Sequence, residues 1–508
     1  MNDTVFHDKA VKPVLTPGEA QRFIAELPQD PLPAIDMVLA QINAIPDDVD
    51  PIVRFDVVSR LDEAIHSGVR QVAQEYINRR DQNKAAEMRL WTLAHDFWTS
   101  IADQYGISIS VSVDSDDKIA QKLRSHLPRM ISRALLAVSE SLKWKSFHYQ
   151  PIPLQLWAGT GSIYALAEKY AFAEKSLHMY PGSGGISSPR TEYLRTLFFQ
   201  AASLNSLQVN EMEIADRLIV HLLTSFVFSA VKDEESIYWV DLGAEREPSR
   251  LSNPPPASPN LRFFGPGDAV ARLQQLRQEA ENTGAVPAKI RRNDKLEVHD
   301  FLKVAQHLAN QWAATLPQRQ YERHRVNHRI SVLSGFVNSF VMASPEFGGK
   351  AAGLPLESWT VENVSRGGCG AIVKRLGHDW VRVGALLALQ PEGADNWVIG
   401  LIRRVNRLSD KEIRVGIEML SRRPTALETR ARSASGVSPY HDLPAIWFRG
   451  DDPKKPMRFI FPSGELKMDD VLEFNFKGRG LVVYPVKLLE QGSDYDLAVC
   501  KVTTAEKN

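Results

Sequence analysis

Residues 370–420 read GAIVKRLGHDWVRVGALLALQPEGADNWVIGLIRRVNRLSDKEIRVGIEML. Four apolar runs recur in this stretch: GAIVKRL, WVRVGALLAL, WVIGLIRRVNRL and IRVGIEML. The segments between them, LGHD, QPEGADN and RLSDKE, are rich in residues that favour turns. Several short strands at this spacing predict a small antiparallel barrel. Just upstream, from about residue 328, Val332, Phe336, Phe340 and Met342 fall near alternating positions and predict a further strand. The segment ASPEFGGKAAGLPLE then reads as a loop between two strands.

Downstream, the polar stretch SRRPTALETRARSASGVSPYHD separates the barrel from a second strand-rich region. That region contains AIWF, RFIF, LEFNF, GLVVYPV and DLAVCKV, and reads as a separate small β domain or a second barrel. The first half of the chain reads as helical. Behind Asp50 and Pro51, the residues Ile52, Phe55, Val58, Leu61, Ile65, Val69, Val72 and Tyr76 recur at steps of three and four, one apolar helix face. Behind Asp116 and Asp117, a second face runs through Ile119, Leu123, Leu127, Ile131, Leu135 and Val138. Further helices are expected near 83–104, 153–179, 188–206 and 210–230, then from Asp268 to Thr283 and from Leu296 to Ala314. IYWVDL predicts a short strand, and PSRLSNPPPASPN (248–260) a linker, since three consecutive prolines cannot sit inside a helix. Trp157, Gly161, Tyr164 and Ala173 partly follow a tetratricopeptide pattern. A solenoid needs several copies, so a single one reads as a helix hairpin. Lys289, Arg291 and Arg292 read as a solvated basic cluster.

The 508 residues suggest two to four domains, and 44% apolar with 24% charged residues is ordinary globular composition. Lys+Arg and Asp+Glu balance at 61 each. The chain therefore offers no global charge argument for nucleic acid or an anionic membrane surface. Two cysteines, Cys369 and Cys500, are too few for a disulfide framework and read as buried thiols. MNDTVFHDKAVKP lacks the apolar core of a signal peptide, and LIVHLLTSFVFSAV (218–231) is too short to span a bilayer. A cytoplasmic protein is the expectation.

Two short motifs flank the opening of the barrel. One is an RxxxR pair, Arg325 and Arg329, read as a mobile cationic arm just ahead of the first strand. The other, NVSRGG, places Asn363, Ser365 and Gly368 in the spacing [D/N]xSxxG. Guanidinium grips phosphate with paired hydrogen bonds, stacks on planar rings and matches the O6/N7 edge of guanine. An amide and a hydroxyl can hold the polar edge of a base or sugar. Gly367 and Gly368 allow positive φ and close backbone approach. A ligand with two phosphates and two guanines would use the whole set. Arg323 and Arg366 are possible additional contacts, and His328 could tune affinity near neutral pH. Against this stands an ordinary alternative: a solvated helix end, with Glu322 as a partner, and plain turn residues.

These motifs, with the β pattern behind them, resemble those of the PilZ family, over roughly residues 323–420. The later pattern Val415-Gly416-Ile417-Glu418-Met419 is similar to the family's closing strand. The resemblance implies a bacterial receptor for cyclic di-GMP, built on a six-stranded barrel. Arg325 and Arg329 would clamp phosphate and guanine, Asn363 and Ser365 would hold a guanine edge, and Gly368 would shape the turn. It also implies a regulatory output in motility, pili, polysaccharide or virulence. The fold class expected is multidomain α+β: an α-helical region over 1–318 with a linker near 248–260, a PilZ-like six-stranded antiparallel β-barrel over 319–430, and a small β-rich domain over 438–508.

No HExxH, GxSxG, Walker A or CxxC motif is present, and AGTGS (158–162) lacks the third glycine of a dinucleotide fingerprint. His324 and His328 lack an acidic third ligand. Neither a catalytic residue, nor a metal, nor a resident cofactor is expected, and the chain reads as a regulatory protein rather than an enzyme. The helical region is the expected contact for a protein partner. Two other readings use the same residues: a ligand-independent adaptor on a degenerate barrel, and a nucleic-acid binder, which the charge balance disfavours. Oligomeric state, and whether one or two nucleotides bind, are open at this level.

Overall fold

The computed structural model describes residues 12–79, 83–114, 118–182, 185–252, 254–291, 296–318, 321–344, 353–374, 380–409, 411–433, 441–448 and 457–504. The chain divides into a mostly helical unit, up to Pro317, and a β unit from Gln318 onward that also takes in Asn205–Gln208.

The helical unit begins with α1 (Pro17–Ala25), α2 (Pro31–Asn43), α3 (Pro51–Arg79), α4 (Lys84–Asp114), α5 (Lys118–Arg124), α6 (Leu127–Phe147) and α7 (Leu154–Lys169). A two-stranded ribbon, β1 (Leu177–His178) with β2 (Ile186–Ser187), leads to α8 (Pro189–Ala201) and α9 (Val209–Leu222). Then come β3 (Val227–Ser229), β4 (Tyr238–Asp241), β5 (Ser249–Arg250) and β6 (Leu261–Gly265), which form one sheet in the order β3-β6-β4-β5. Helices α10 (Ala269–Thr283) and α11 (Val298–Gln311) close the unit.

The start of α3 follows its sequence closely. Asp50 Oδ1 accepts from the Ile52 and Val53 amides at 2.9 and 3.1 Å, satisfying donors that have no partner inside the helix. The predicted face from Phe55 to Tyr76 is buried. Three expectations are corrected here. The second face is split between α5 and α6, because Pro128 lacks an N–H and starts a new helix in its first turn; Asp116 and Asp117 lie outside the described residues. The 153–179 stretch is not a helix hairpin, since α7 ends at Lys169 and β1 follows. Finally, α9 stops at Leu222, and Val227–Ser229 is a strand. Ser249–Arg250, in the expected linker, also pairs as a strand with Tyr238 and Trp239. Arg292 of the basic cluster lies outside the described residues.

The β unit holds two closed antiparallel barrels of six strands each. The first comprises β7 (His324–Ser334), β8 (Glu357–Ser365), β9 (Gly368–Lys374), β10 (Leu386–Pro391), β11 (Val398–Arg407) and β12 (Glu412–Ser421), in the order β7-β8-β9-β12-β11-β10. The second comprises β13 (Pro424–Ser433), β14 (His441–Phe448), β15 (Met457–Pro462), β16 (Asp470–Phe476), β17 (Arg479–Gln491) and β18 (Tyr495–Thr504), in the order β13-β14-β15-β18-β17-β16. Numbered within each barrel, the two strand orders are the same.

Two elements differ from expectation. Phe336–Ala343 is a helix, α12, and not a continuation of a strand. Its backbone turns out of β7 at Gly335, where φ is +90°, and the Asp494 carboxylate accepts from the Phe336 amide at 2.6 Å. Phe336, Met342 and Ala343 are buried in one apolar cluster with Leu333, Leu386 and Trp397 of the first barrel and Ile446, Ile460 and Leu497 of the second. Residues 345–352 of the expected inter-strand loop lie outside the described residues. The polar stretch after the first barrel is not a separator either. It contains β13, so the second barrel opens at Pro424, earlier than the expected 438, and Ser421 ends the first. Residues 434–440 of that stretch lie outside the described residues.

Both cysteines are buried and free. No helix among the described residues is long and apolar enough to cross a membrane.

Candidate functional site

The RxxxR pair lies inside β7, which corrects the expectation of an arm ahead of the first strand. It also removes the reading of this segment as a helix end. Arg325 stands opposite Asn363 on β8, and Arg329 opposite Thr360, with a register shift between Arg325 and His328. A bulge of this kind re-aims side chains near a site. Directly opposed residues in an antiparallel pair point to the same face of the sheet. Thus Arg325 and Asn363, far apart in sequence, share one patch of the outer barrel wall.

The arginines are exposed. Arg329 is held by its surroundings: its amide donates to Glu392 Oε2 at 3.3 Å, its carbonyl accepts from the Glu392 amide at 3.1 Å, and its Nη1 reaches Ser358 Oγ at 3.4 Å. Neither Arg323 nor Arg325 makes a side-chain hydrogen bond or ion pair with the described residues. Asn363 Oδ1 is buried and accepts no hydrogen bond among the described residues. A buried acceptor without a donor is uncommon in folded proteins and marks a place where a donor is missing.

Beyond Asn363 the chain turns from β8 into β9 through Arg366 and Gly367, with Ser365 opposite Gly368. Ser365 Oγ donates to the Gly368 carbonyl at 3.2 Å and closes this turn. Its lone pairs remain available as acceptors. Neither Gly367 nor Gly368 has positive φ, contrary to one reason given for glycine here. The other reason, close approach, does apply. A Cβ on Gly368 would collide with the Ile417 carbonyl oxygen, and one on Gly367 would stand 3.1 Å from the Tyr321 ring. Arg366 lies over that same ring, 5.9 Å from its centre, within the range of cation–π attraction. Tyr321 was missed from sequence; an aromatic residue two positions ahead of an arginine-rich run was the available signal.

Behind the patch, burial pushes the Cys369 thiol up to about 11, with Arg323 pulling weakly the other way. At neutral pH Cys369 is therefore a protonated, unreactive packing residue. Arg414 and Glu362 form an ion pair at 2.9 Å beside the patch.

Taken together, Arg325 stands beside the Asn363 amide, Arg366 lies over Tyr321 at the turn that Ser365 closes, and Arg329 stands further along β7, turned toward Ser358. Such a surface can bind an anionic ligand that also brings hydrogen-bond donors on a planar edge.

Comparison with known families matches residues 18–233 to the family described as "Cyclic-di-GMP receptor FimW, N-terminal domain". The matched span covers less than half the chain. It runs from α1 through β3, the region for which the sequence alone names no family, and ends well before the barrels. The search of curated proteins finds no match.

Proposed function

We propose that this chain is a cyclic di-GMP receptor whose first barrel is a PilZ-type nucleotide site. The observation that carries the reading is the pairing of Arg325 with Asn363 across β7 and β8, with Asn363 Oδ1 buried and lacking a donor. Guanine presents N–H donors on its Watson–Crick edge for that acceptor, and the phosphates of the dinucleotide suit the exposed guanidinium groups. In this reading Arg325 and Arg329 hold phosphate and guanine, Asn363 and Ser365 hold a guanine edge, and Gly368 keeps the turn tight against β12. Arg323 and Arg366 add positive charge. Independent support comes from the other half of the chain, whose match is to the N-terminal domain of a cyclic di-GMP receptor.

The chain acts here as a regulator in the cytoplasm rather than as an enzyme. Its helical unit passes the bound state to a protein partner governing motility, pili, polysaccharide or virulence. That transmission requires the nucleotide to bind one arrangement of the protein better than another.

Isothermal titration calorimetry of cyclic di-GMP into the full chain and into an Arg325→Ala/Arg329→Ala variant tests the proposal. Hydrogen bonds to charged groups contribute about 1.5–3 kcal/mol each, so the double variant should lose affinity by at least about two orders of magnitude. The titration also reports stoichiometry. A folded wild-type chain that takes up no nucleotide would leave the ligand-independent adaptor as the better account.

A further inference from the structure

The helical unit holds a cleft of about 580 Å³, a size that suits a small organic ligand. Helix α3 lines it with His66, Val69, Arg70, Ala73 and Ile77, α6 with Leu136, Glu140 and Lys143, and α9 with Glu213, Asp216 and Val220. Steps of three and four put each set on one face of its helix. Arg195 of α8 completes the charged part. Lys143, Arg195, Glu213 and Asp216 are buried, so ions line the depth of the cleft, whereas Arg70 is exposed at its mouth. Ala73 and Ile77 are only half-buried and leave apolar surface open to the cleft.

The charges in the depth are matched against one another. Lys143 Nζ meets Glu140 at 3.0 Å, Asp216 at 3.1 Å and Glu213 at 3.3 Å. Arg195 Nη2 meets Glu140 Oε1 at 2.6 Å and Asp216 Oδ2 at 2.8 Å, and its Nε meets Asp216 Oδ1 at 3.1 Å. Arg217 takes the other oxygen of Glu213 at 2.9 Å. Burial holds Glu192, a further acid near Arg195, toward its neutral form. Each oxygen of Glu140, Glu213 and Asp216 therefore has a cation, and the groups left over are donors. Arg195 Nη1 donates to none of the described residues, although the side chain is only 9% exposed. Arg70 makes no side-chain hydrogen bond or ion pair with the described residues. His66 Nδ1 is buried without a partner among them. Burial, and then the Arg70 charge, pushes the His66 pKa down to about 4, so the ring is neutral at pH 7 and one tautomer offers an N–H there. Buried donors without an acceptor are uncommon and call for an explanation.

We propose that this cleft binds a small organic anion, whose carboxylate or phosphate group is held by Arg195 and Arg70 and whose apolar body lies along Val69, Ala73 and Ile77. The ligand supplies the acceptors that the network lacks and the negative charge that balances Arg70. Guanidinium grips either oxyanion through paired hydrogen bonds. The ion network has a role in this arrangement: it fixes Arg195, so that Nη1 is presented with little side-chain freedom left to lose on binding. A cationic ligand would find the carboxylates already occupied and Arg70 at the entrance. The site belongs to the helical unit and does not depend on the nucleotide reading of the first barrel.

The test is hydrogen-exchange mass spectrometry of the full chain with hexanoate and with phenyl phosphate, against hexanamide and sodium chloride as controls. Two charge-assisted contacts correspond to a dissociation constant of about 1 mM, so each probe is used at about 10 mM. At least one anion should then slow exchange about tenfold in peptides covering α3 and α9. Hexanoate alone doing so identifies a carboxylate ligand, and phenyl phosphate alone a phosphate ester. Arg70→Gln alters an exposed side chain with no partner to lose, and should cut the protection to about twofold. Ala73→Leu fills the cleft while keeping every charge, and should cut it as far; circular dichroism checks that both variants fold, and Arg70→Gln carries the test if Ala73→Leu does not. No protection from either anion, equal protection from hexanamide or sodium chloride, or unchanged protection in either folded variant overturns the proposal. None of these outcomes bears on the calorimetry of the barrel site.

Discussion

Replacing Arg403 by methionine should loosen the second barrel even though Arg403 belongs to the first. Its Nε meets Glu418 on β12 at 2.7 Å, and its Nη1 meets Glu490 on β17 at 2.7 Å. Glu490 is 6% exposed, and its Oε1 also accepts from the Tyr495 hydroxyl at 3.0 Å. Methionine keeps much of the apolar stem but leaves the Glu490 carboxylate buried with one neutral donor. Breaking a buried pair in this way typically costs about 3–5 kcal/mol. Because Arg403 is one-third exposed and water can partly replace it, about 3 kcal/mol is the better figure. The cost should appear locally, as a roughly hundredfold loss of amide hydrogen-exchange protection in peptides covering β17 and β18. Adding Glu490→Gln removes the stranded charge and should restore most of the protection. Hydrogen-exchange mass spectrometry of the wild type, both single variants and the double variant forms a complete cycle. Protection in Arg403→Met within about threefold of wild type would refute the reasoning, because Glu490 would then be solvated well enough not to need its partner.

Two further outcomes concern the helical unit. Burial, opposed by Arg133, raises the Asp62 carboxyl to about 6, so it stays protonated in the fold where the unfolded chain has already ionised. Its contribution to stability is full below about pH 4, falls as pH rises, and is lost above about pH 6. Asp62→Asn should therefore match wild type at pH 4 and gain on it by about 3 kcal/mol at pH 7; thermal melts whose difference stays constant over that range would contradict this. Gly161→Ala should destabilise the unit despite alanine's better helix propensity, because the new Cβ would overlap the Leu242 backbone. A melt equal to or above that of wild type would show that α7 can shift away freely.

The barrels were legible because their strands alternate between core and solvent and turn residues mark most ends. Where the reading failed, a local signal was overridden. β13 alternates Leu427, Thr429 and Ala431 inward with charged residues outward. Two of the three inward residues are small or polar, with the Thr429 hydroxyl donating to the Leu443 carbonyl at 2.5 Å, and so the segment looked like a linker. α12 was mistaken for strand because a short apolar run fits either period. Its helical form follows from what it packs against, and that involves residues more than a hundred positions downstream. The candidate site was legible as a set of residue types and spacings. The ladder contact between Arg325 and Asn363 depends on register. Bulges set that register here, and they leave no clear mark in the sequence.

The apolar cluster centred on α12 has a consequence for modularity. Leu333 and Ile399 of one barrel and Ile460 and Tyr495 of the other lie in the same cluster, with Phe336 between them. A chain ended at Ser421 would keep every strand of the first barrel and still expose one side of α12 to water. That barrel is not a cassette that can be cut out and fused elsewhere. A fragment carrying the first barrel would need to extend through Thr504 to keep that side of α12 covered.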